Sequence, residues 1–337
     1  MKILYVEDDL SGSLDRVIRL FSKYLDEKTL KDLNGLSADA YGATPEEIKK
    51  IVESTNIIEI ADSFPDALHK IMYGYDRYAC FIVDRNLIEN PYEFRDVNDI
   101  DANYTAALYD KFLEREGDYL LTWLATKTRN PEGVLQKFNF LSAFPTGPND
   151  KIRGLENIET FIYMKTFTED QFFEKDSPRM DDLKKKIDKI EVLNTQYDNR
   201  VYLNILRKCL DEKFADHFLR VLSEKDEKAR IGDSLKEIRI LYEAMLDRLS
   251  EIIPDMRNKC SDDYGKIRKG TETIFWLENN NHISVILKNF FISIWKISST
   301  SGHHALKFEP TIDTVNSLVY ALKDAILWFG DQCNKKE

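Results

Sequence analysis

In the first half of the chain, apolar residues come in short runs, each closed by polar ones. "KILYV" at 2–6 has the pattern of a buried strand and stops abruptly at Glu7, Asp8 and Asp9. Leu14, Val17, Ile18, Phe21 and Leu25 follow at helical spacing. Residues 27–43 are polar and carry Gly35 and Gly42. "TPEEIKKIVEST" opens a helix, with Thr44 as N-cap, Pro45 at the first position and Glu47 three residues after the cap. "IIEIA" reads as a strand, "SFPDALHKIM" as a helix, and "YACFIVD" as a strand ending on Asp84. A polar stretch from Glu89 to Asn103 precedes the helical "TAALYDKFLER" and "YLLTWLATK". "FNFLSAF" and "TFIYMKTF" are two more strands. Strands separated by helices predict an α/β fold, a parallel sheet with helices on both faces.

The pattern changes near Asp181, after which no convincing strand follows. "DDLKKKIDKIEVLNTQYDNRVYLNILRKCL" reads as one long helix or two consecutive ones. "SLKEIRILYEAMLDRLSEII" is amphipathic and is stopped by Pro254. "ISVILKNFFISIWKI" is apolar on most sides and predicts a buried helix. "TIDTVNSLVYALKDAILWFG" begins with a threonine cap and ends in glycine. The second half therefore reads as an all-α domain.

A length of 337 residues suits two domains. No window reaches the roughly 18 to 20 apolar residues of a membrane span, and acids interrupt the N-terminus where a signal peptide would be apolar. The four cysteines, Cys80, Cys209, Cys260 and Cys333, are far apart and form no C-x-x-C pair. That spacing argues against a disulfide framework and a zinc site, and suits a reducing cytoplasm. Residues 181–337 hold 26 basic and 26 acidic residues, so the net charge of −11 sits in the first half. A neutral second half is a poor DNA-binding surface, because phosphate contact needs a basic patch.

In an open parallel sheet, ligands bind beyond the C-terminal ends of the strands. The first strand delivers Glu7, Asp8 and Asp9 there, the third Asp84, the fourth Ser142 and the fifth Lys165. Carboxylates hold Mg²⁺ through oxygen, and Mg²⁺ takes phosphate oxygens as further ligands. A lysine and a hydroxyl donate to the same oxygens. This set suits phosphoryl transfer to a carboxylate.

Through "ILYVEDD", "IIEIADSFPDALHKI", "FIVDRNL", "FLSA" and "YMKTF", in that order, residues 1–175 resemble the receiver domain of two-component response regulators. The resemblance implies a doubly wound, five-stranded, flavodoxin-like sheet. It implies that Asp84 accepts the phosphoryl group. Glu7 and Asp8 would be the acidic pair that holds Mg²⁺ with Asp84, and Asn86 would add its backbone carbonyl. Ser142 would hydrogen-bond the phosphoryl group and Lys165 would pair with it, while Asp9 would be a helix-start acid. The partner implied is a sensor histidine kinase or a phosphotransfer protein. There are departures: Thr166 stands where the family has proline after the lysine, and Leu87-Ile88 stand where a proline usually follows the acceptor strand. Insertions span about 27–55 and 89–116. The second lies at the mouth of the acidic pocket, either to restrict access or choose the partner kinase, or as a surface excursion.

The expected division is a receiver at 1–175, a helical linker or start of the helical domain at 176–232, and an all-α output domain at 233–337. No basic helix-turn-helix is visible. Segment 234–330 faintly resembles HEPN helical bundles, some of which cut RNA, with six residues between Lys296 and His303, which His304 follows. Two outputs follow: protein contact, or a receiver-gated ribonuclease. Leu183, Ile187, Ile190, Leu193 and Tyr197 are spaced to pack on another helix, either of the same chain or of a homodimer partner.

Overall fold

The computed structural model describes residues 1–37, 43–143, 169–299 and 308–335. They divide into two compact units, Met1–Asn194 and Thr195–Glu337.

The first unit is built on a five-stranded parallel sheet in the order β2-β1-β3-β4-β5. Its strands are β1 (Lys2–Val6), β2 (Ile58–Ala61), β3 (Tyr78–Val83), β4 (Phe138–Ser142) and β5 (Phe172–Glu174). Between β1 and β2 lie α1 (Leu14–Phe21), α2 (Glu27–Ser37) and α3 (Pro45–Glu53). After β2 comes α4 (Phe64–Gly74). Between β3 and β4 lie α5 (Phe94–Asn98), α6 (Ala106–Phe112), α7 (Glu116–Lys127) and α8 (Pro131–Leu135). α9 (Arg179–Ile187) follows β5.

β1 and β3 are buried along nearly their whole length. That is why they read as continuous apolar runs, as central parallel strands do. Successive side chains alternate faces. Leu4 and Val6 pack with Phe64, Leu68, Phe81, Leu120, Leu124 and Phe140 under α4 and α7. Tyr5 points the other way and meets Phe21 of α1 edge-on, ring centroids 5.4 Å apart. α3 starts as its sequence predicts: Thr44 accepts from the Glu47 N–H, and the Glu47 carboxylate accepts from the Thr44 N–H. The polar stretch 27–43 is a surprise, since it contains the helix α2.

The strand that pairs with β4 is Phe172–Glu174, in register Phe140↔Phe172 and Ser142↔Glu174. It lies beyond "TFIYMKTF", the segment expected to form the fifth strand, which is outside the described residues. The first unit also runs further than the expected boundary at residue 175. α9 buries Leu183 and Ile187, and α1 reaches it through Arg19 to Asp181 at 2.8 Å. The Tyr24 hydroxyl donates to the Ile187 carbonyl at 3.0 Å. Leu183 and Ile187 are thus covered by the chain itself, as the same-chain alternative expects at these two positions.

α10 (Glu191–Asp198) crosses from one unit to the next. The second unit contains α11 (Arg200–Cys209), α12 (Glu212–Glu224), α13 (Ile231–Ile252), α14 (Met256–Cys260), α15 (Thr271–Asn279), α16 (Val285–Ser298) and α17 (Ile312–Asn334). Among its described residues the regular elements are helices, joined by turns and loops, with one isolated bridge between Ser261 and Ile267. Leu206, Phe218, Leu241, Met245, Phe291 and Leu322 lie in its core. The expected linker at 176–232 therefore contributes core residues to both units. Two expectations fail locally. α16 is buried on one side, through Leu287, Phe291 and Ile294, and leaves Val285 and Ile286 exposed. Gly330 does not end α17; it lies inside the helix, where a Cβ would stand 3.0 Å from the Ile205 side chain.

Because Ile187 is fully buried, Ile187→Ala should destabilise the first unit by about 2 to 5 kcal/mol. Urea unfolding followed by circular dichroism reads this as a lower midpoint. An unchanged midpoint would show that α9 does not contribute to this core.

Candidate functional site

β1 and β3 are parallel neighbours paired Val6↔Val83, so Glu7 and Asp84 leave the sheet side by side. The Asp84 N–H donates to the Val6 carbonyl at 2.9 Å and continues the ladder. Carboxylate oxygens of Glu7, Asp8 and Asp84 lie within 4.8 Å of one another. Glu7 is 1% exposed, Asp8 6% and Asp84 7%. Three carboxylates so placed repel each other in a medium that screens them poorly.

Lys175 supplies the nearest compensation. Its Nζ stands 2.8 Å from the Glu7 carboxylate and 2.5 Å from Asp84 Oδ2. It arrives there because β5 ends at Glu174 and the Lys175 N–H donates to the Ser142 carbonyl at 2.9 Å. Arg16 of α1 approaches Glu7 at 3.7 Å and bonds Asp176 at 3.2 Å. The Tyr5 hydroxyl donates to Glu7 at 3.2 Å.

The titration of these groups follows from their surroundings. Burial, then the Asp84 charge, push the Glu7 carboxyl up to about 7 against the pull of Lys175. Burial also raises Asp84, with Lys175 opposing. For Lys175 burial works against the charge, but Glu7 and Asp84 outweigh it and hold the ammonium above its ordinary range.

The structure brings together Glu7, Asp8 and Asp84 as the sequence predicts, and sets buried Ser142 at the end of β4 beside the β5 terminus. Lys165 lies outside the described residues; among the described residues the lysine in the pocket is Lys175. Its local signal, two phenylalanines followed closely by a lysine in "FFEK", is the same kind that singled out Lys165. Asn86 donates its N–H to Asp84 Oδ1 at 3.3 Å and its side-chain amide to the Glu114 carbonyl at 2.5 Å. Asp9 is exposed and accepts from the Gly12 N–H at 3.0 Å, a local turn contact away from the acid trio. His303 and His304 lie outside the described residues.

The second insertion is part of the site. The Glu89 N–H donates to Asp8 Oδ2 at 2.6 Å. The Asn90 amide bonds the carbonyls of Asp62 at 2.6 Å and Asp8 at 3.3 Å. Residues 89–90 thus lie across the acids and tie one oxygen of Asp8.

The donor set is all oxygen, with no thiolate or imidazole, and so fits a hard divalent cation such as Mg²⁺. No protein-family model, curated protein or solved structure significantly matches this chain. Among the described residues, no helix is long and apolar enough to cross a membrane.

Between about pH 4.5 and 7 the folded protein keeps a proton on Glu7 that the unfolded chain has released. Its contribution to stability is therefore present below this window and is lost as the pH rises through it. In EDTA, Glu7→Gln should melt above the wild type at pH 8, with the gap closing by pH 5. Added Mg²⁺ should stabilise the wild type more than the variant. Scanning calorimetry across this range checks it; a gap independent of pH would rule out ionisation of Glu7 as the cause.

Proposed function

We propose that the first unit is a receiver-type phosphoacceptor, with Asp84 as the acceptor. The observation that carries this reading is Lys175 held between Glu7 and Asp84 at the C-terminal edge of a parallel sheet, with Asp8 adjacent. The order β2-β1-β3-β4-β5 supports it, because it is a doubly wound flavodoxin-like order with a switch point between β1 and β3, where these acids lie.

In the reaction, an Asp84 carboxylate oxygen attacks the phosphorus of a phosphorylated histidine or small phosphoramidate. The new O–P bond forms as the P–N bond breaks. The nitrogen leaves with the electron pair and takes a proton from water. Glu7, Asp8, Asp84 and the Asn86 carbonyl would hold Mg²⁺, whose charge offsets the repulsion between the phosphoryl group and Asp84. The Lys175 ammonium pairs with the phosphoryl oxygens, the role the resemblance implies for Lys165, and the Ser142 hydroxyl donates to them.

The phosphoryl group draws Lys175 from Glu7, which keeps Tyr5 and Arg16. This is a local electrostatic change of the kind that drives two-state switches. A sensor histidine kinase or phosphotransfer protein is the matching donor. The second unit is then an output that acts by protein contact. Its basic and acidic residues balance, so no net field draws it to a polyanion.

With Mg²⁺ and phosphoramidate, intact mass should rise by one phosphoryl group, and Asp84→Asn should show no rise. Lys175→Met should slow labelling by roughly 10²-fold, as loss of a charge-stabilising donor does. Equal labelling of Asp84→Asn would overturn the assignment.

A further inference from the structure

We propose that Arg85 and the first turn of α7, Glu116 to Asp118, are positioning residues that clamp the phosphoacceptor loop; this rests on the receiver reading. The loop after β3 carries Asp84, the Asn86 carbonyl and the strap at Glu89. The insertion 89–116 separates it from the next long helix, and a long connection alone leaves a loop poorly fixed. Three consecutive residues of α7 restore the constraint. The Glu116 carboxylate accepts from the Leu87 N–H at 3.2 Å. The Gly117 N–H donates to the Arg85 carbonyl at 3.1 Å. Asp118 takes the Arg85 guanidinium in a fork, Nε to Oδ1 at 2.7 Å and Nη2 to Oδ2 at 3.1 Å, with both side chains fully buried.

The approach is as close as the backbone allows. A Cβ on Gly117 would stand 2.6 Å from the Asp84 carbonyl oxygen and 2.8 Å from the Arg85 Cα. The same first turn reaches across the insertion, because Glu116 also accepts from the Tyr92 hydroxyl at 3.2 Å and the Glu114 N–H at 3.0 Å. A buried ion pair is an ineffective way to add stability, since apolar side chains of similar size often do as well. What it provides and they do not is a fixed direction. The planar fork sets the orientation of the residue next to Asp84, and through the shared backbone the direction of attack.

The test compares wild type with Arg85→Met/Asp118→Leu, which removes both charges together, and with Gly117→Ala, which pushes on the loop backbone. Labelling by phosphoramidate is followed against donor concentration, with melting temperature and amide exchange of Arg85 to Asn90 measured alongside. The maximal rate should fall roughly 10- to 100-fold, half-saturation should move much less, and the loop amides should exchange faster while β1 and β3 stay protected. Folded variants that label at the wild-type rate would overturn the clamp, as would slow labelling with wild-type loop exchange. If the double variant does not fold, Gly117→Ala and Glu116→Gln decide, since both keep the ion pair. A wild type that takes no label would instead overturn the receiver reading itself.

Discussion

The ion pair of Lys175 with Glu7 and Asp84 is the interaction on which the first unit depends. Adjacent parallel strands that end in acids bring those acids together whatever else the fold does, as the Val6↔Val83 pairing shows. Buried together, they need a cation within contact distance. Lys175 reaches them only if β5 pairs with β4 in the observed register, so that the chain leaves β5 beside Ser142. Sheet order, strand register and pocket electrostatics are therefore one constraint. The site also ties elements distant in sequence, since Arg16 of α1 contacts Glu7 on one side and Asp176, next to the lysine, on the other.

The second insertion belongs to the same constraint. Tyr92, Phe94, Tyr104, Tyr109 and Tyr119 form a continuous set of ring contacts that includes Phe64 of α4. A surface excursion would not need such a core. The packing holds the segment from Tyr92 to Glu116 in place, so that Glu89 can reach Asp8 and α7 can return to Arg85. One aromatic cluster thus underlies both the strap at Glu89 and the helix start that reaches Arg85.

Much of this was legible in the sequence where signals are local. β1, β3 and β4 are apolar runs closed by a polar residue, and Thr44 with Glu47 marks the start of α3. The acids at the ends of β1 and β3 could be placed because a parallel sheet sets its strand ends on one edge. Long-range pairing could not be read. "YMKTF" and "FFEKD" both place a lysine shortly after apolar residues, and nothing local in the sequence shows that Phe172–Glu174 pairs with β4. Asp118 and Glu116 gave no sign of burial, since acids in the first turn of a helix are ordinary. Gly330 looked like a stop because glycine ends many helices; contact with Ile205 gives it a different reason to be there.

Charge accounting explains why such a pocket would favour one chemical state under the receiver reading. Glu7, Asp8 and Asp84 bring three negative charges, and Lys175 and Arg16 bring two positive ones. One negative charge is left over in a buried place. A proton on Glu7, whose carboxyl titrates near 7, removes it in the metal-free protein. A divalent cation instead overshoots by one positive charge. Converting the Asp84 carboxylate to an acyl phosphate then adds about one negative charge at neutral pH. The metal-bound, phosphorylated pocket is thus the one in which buried charges balance without a proton on Glu7. The unphosphorylated pocket must hold either a proton or an excess charge.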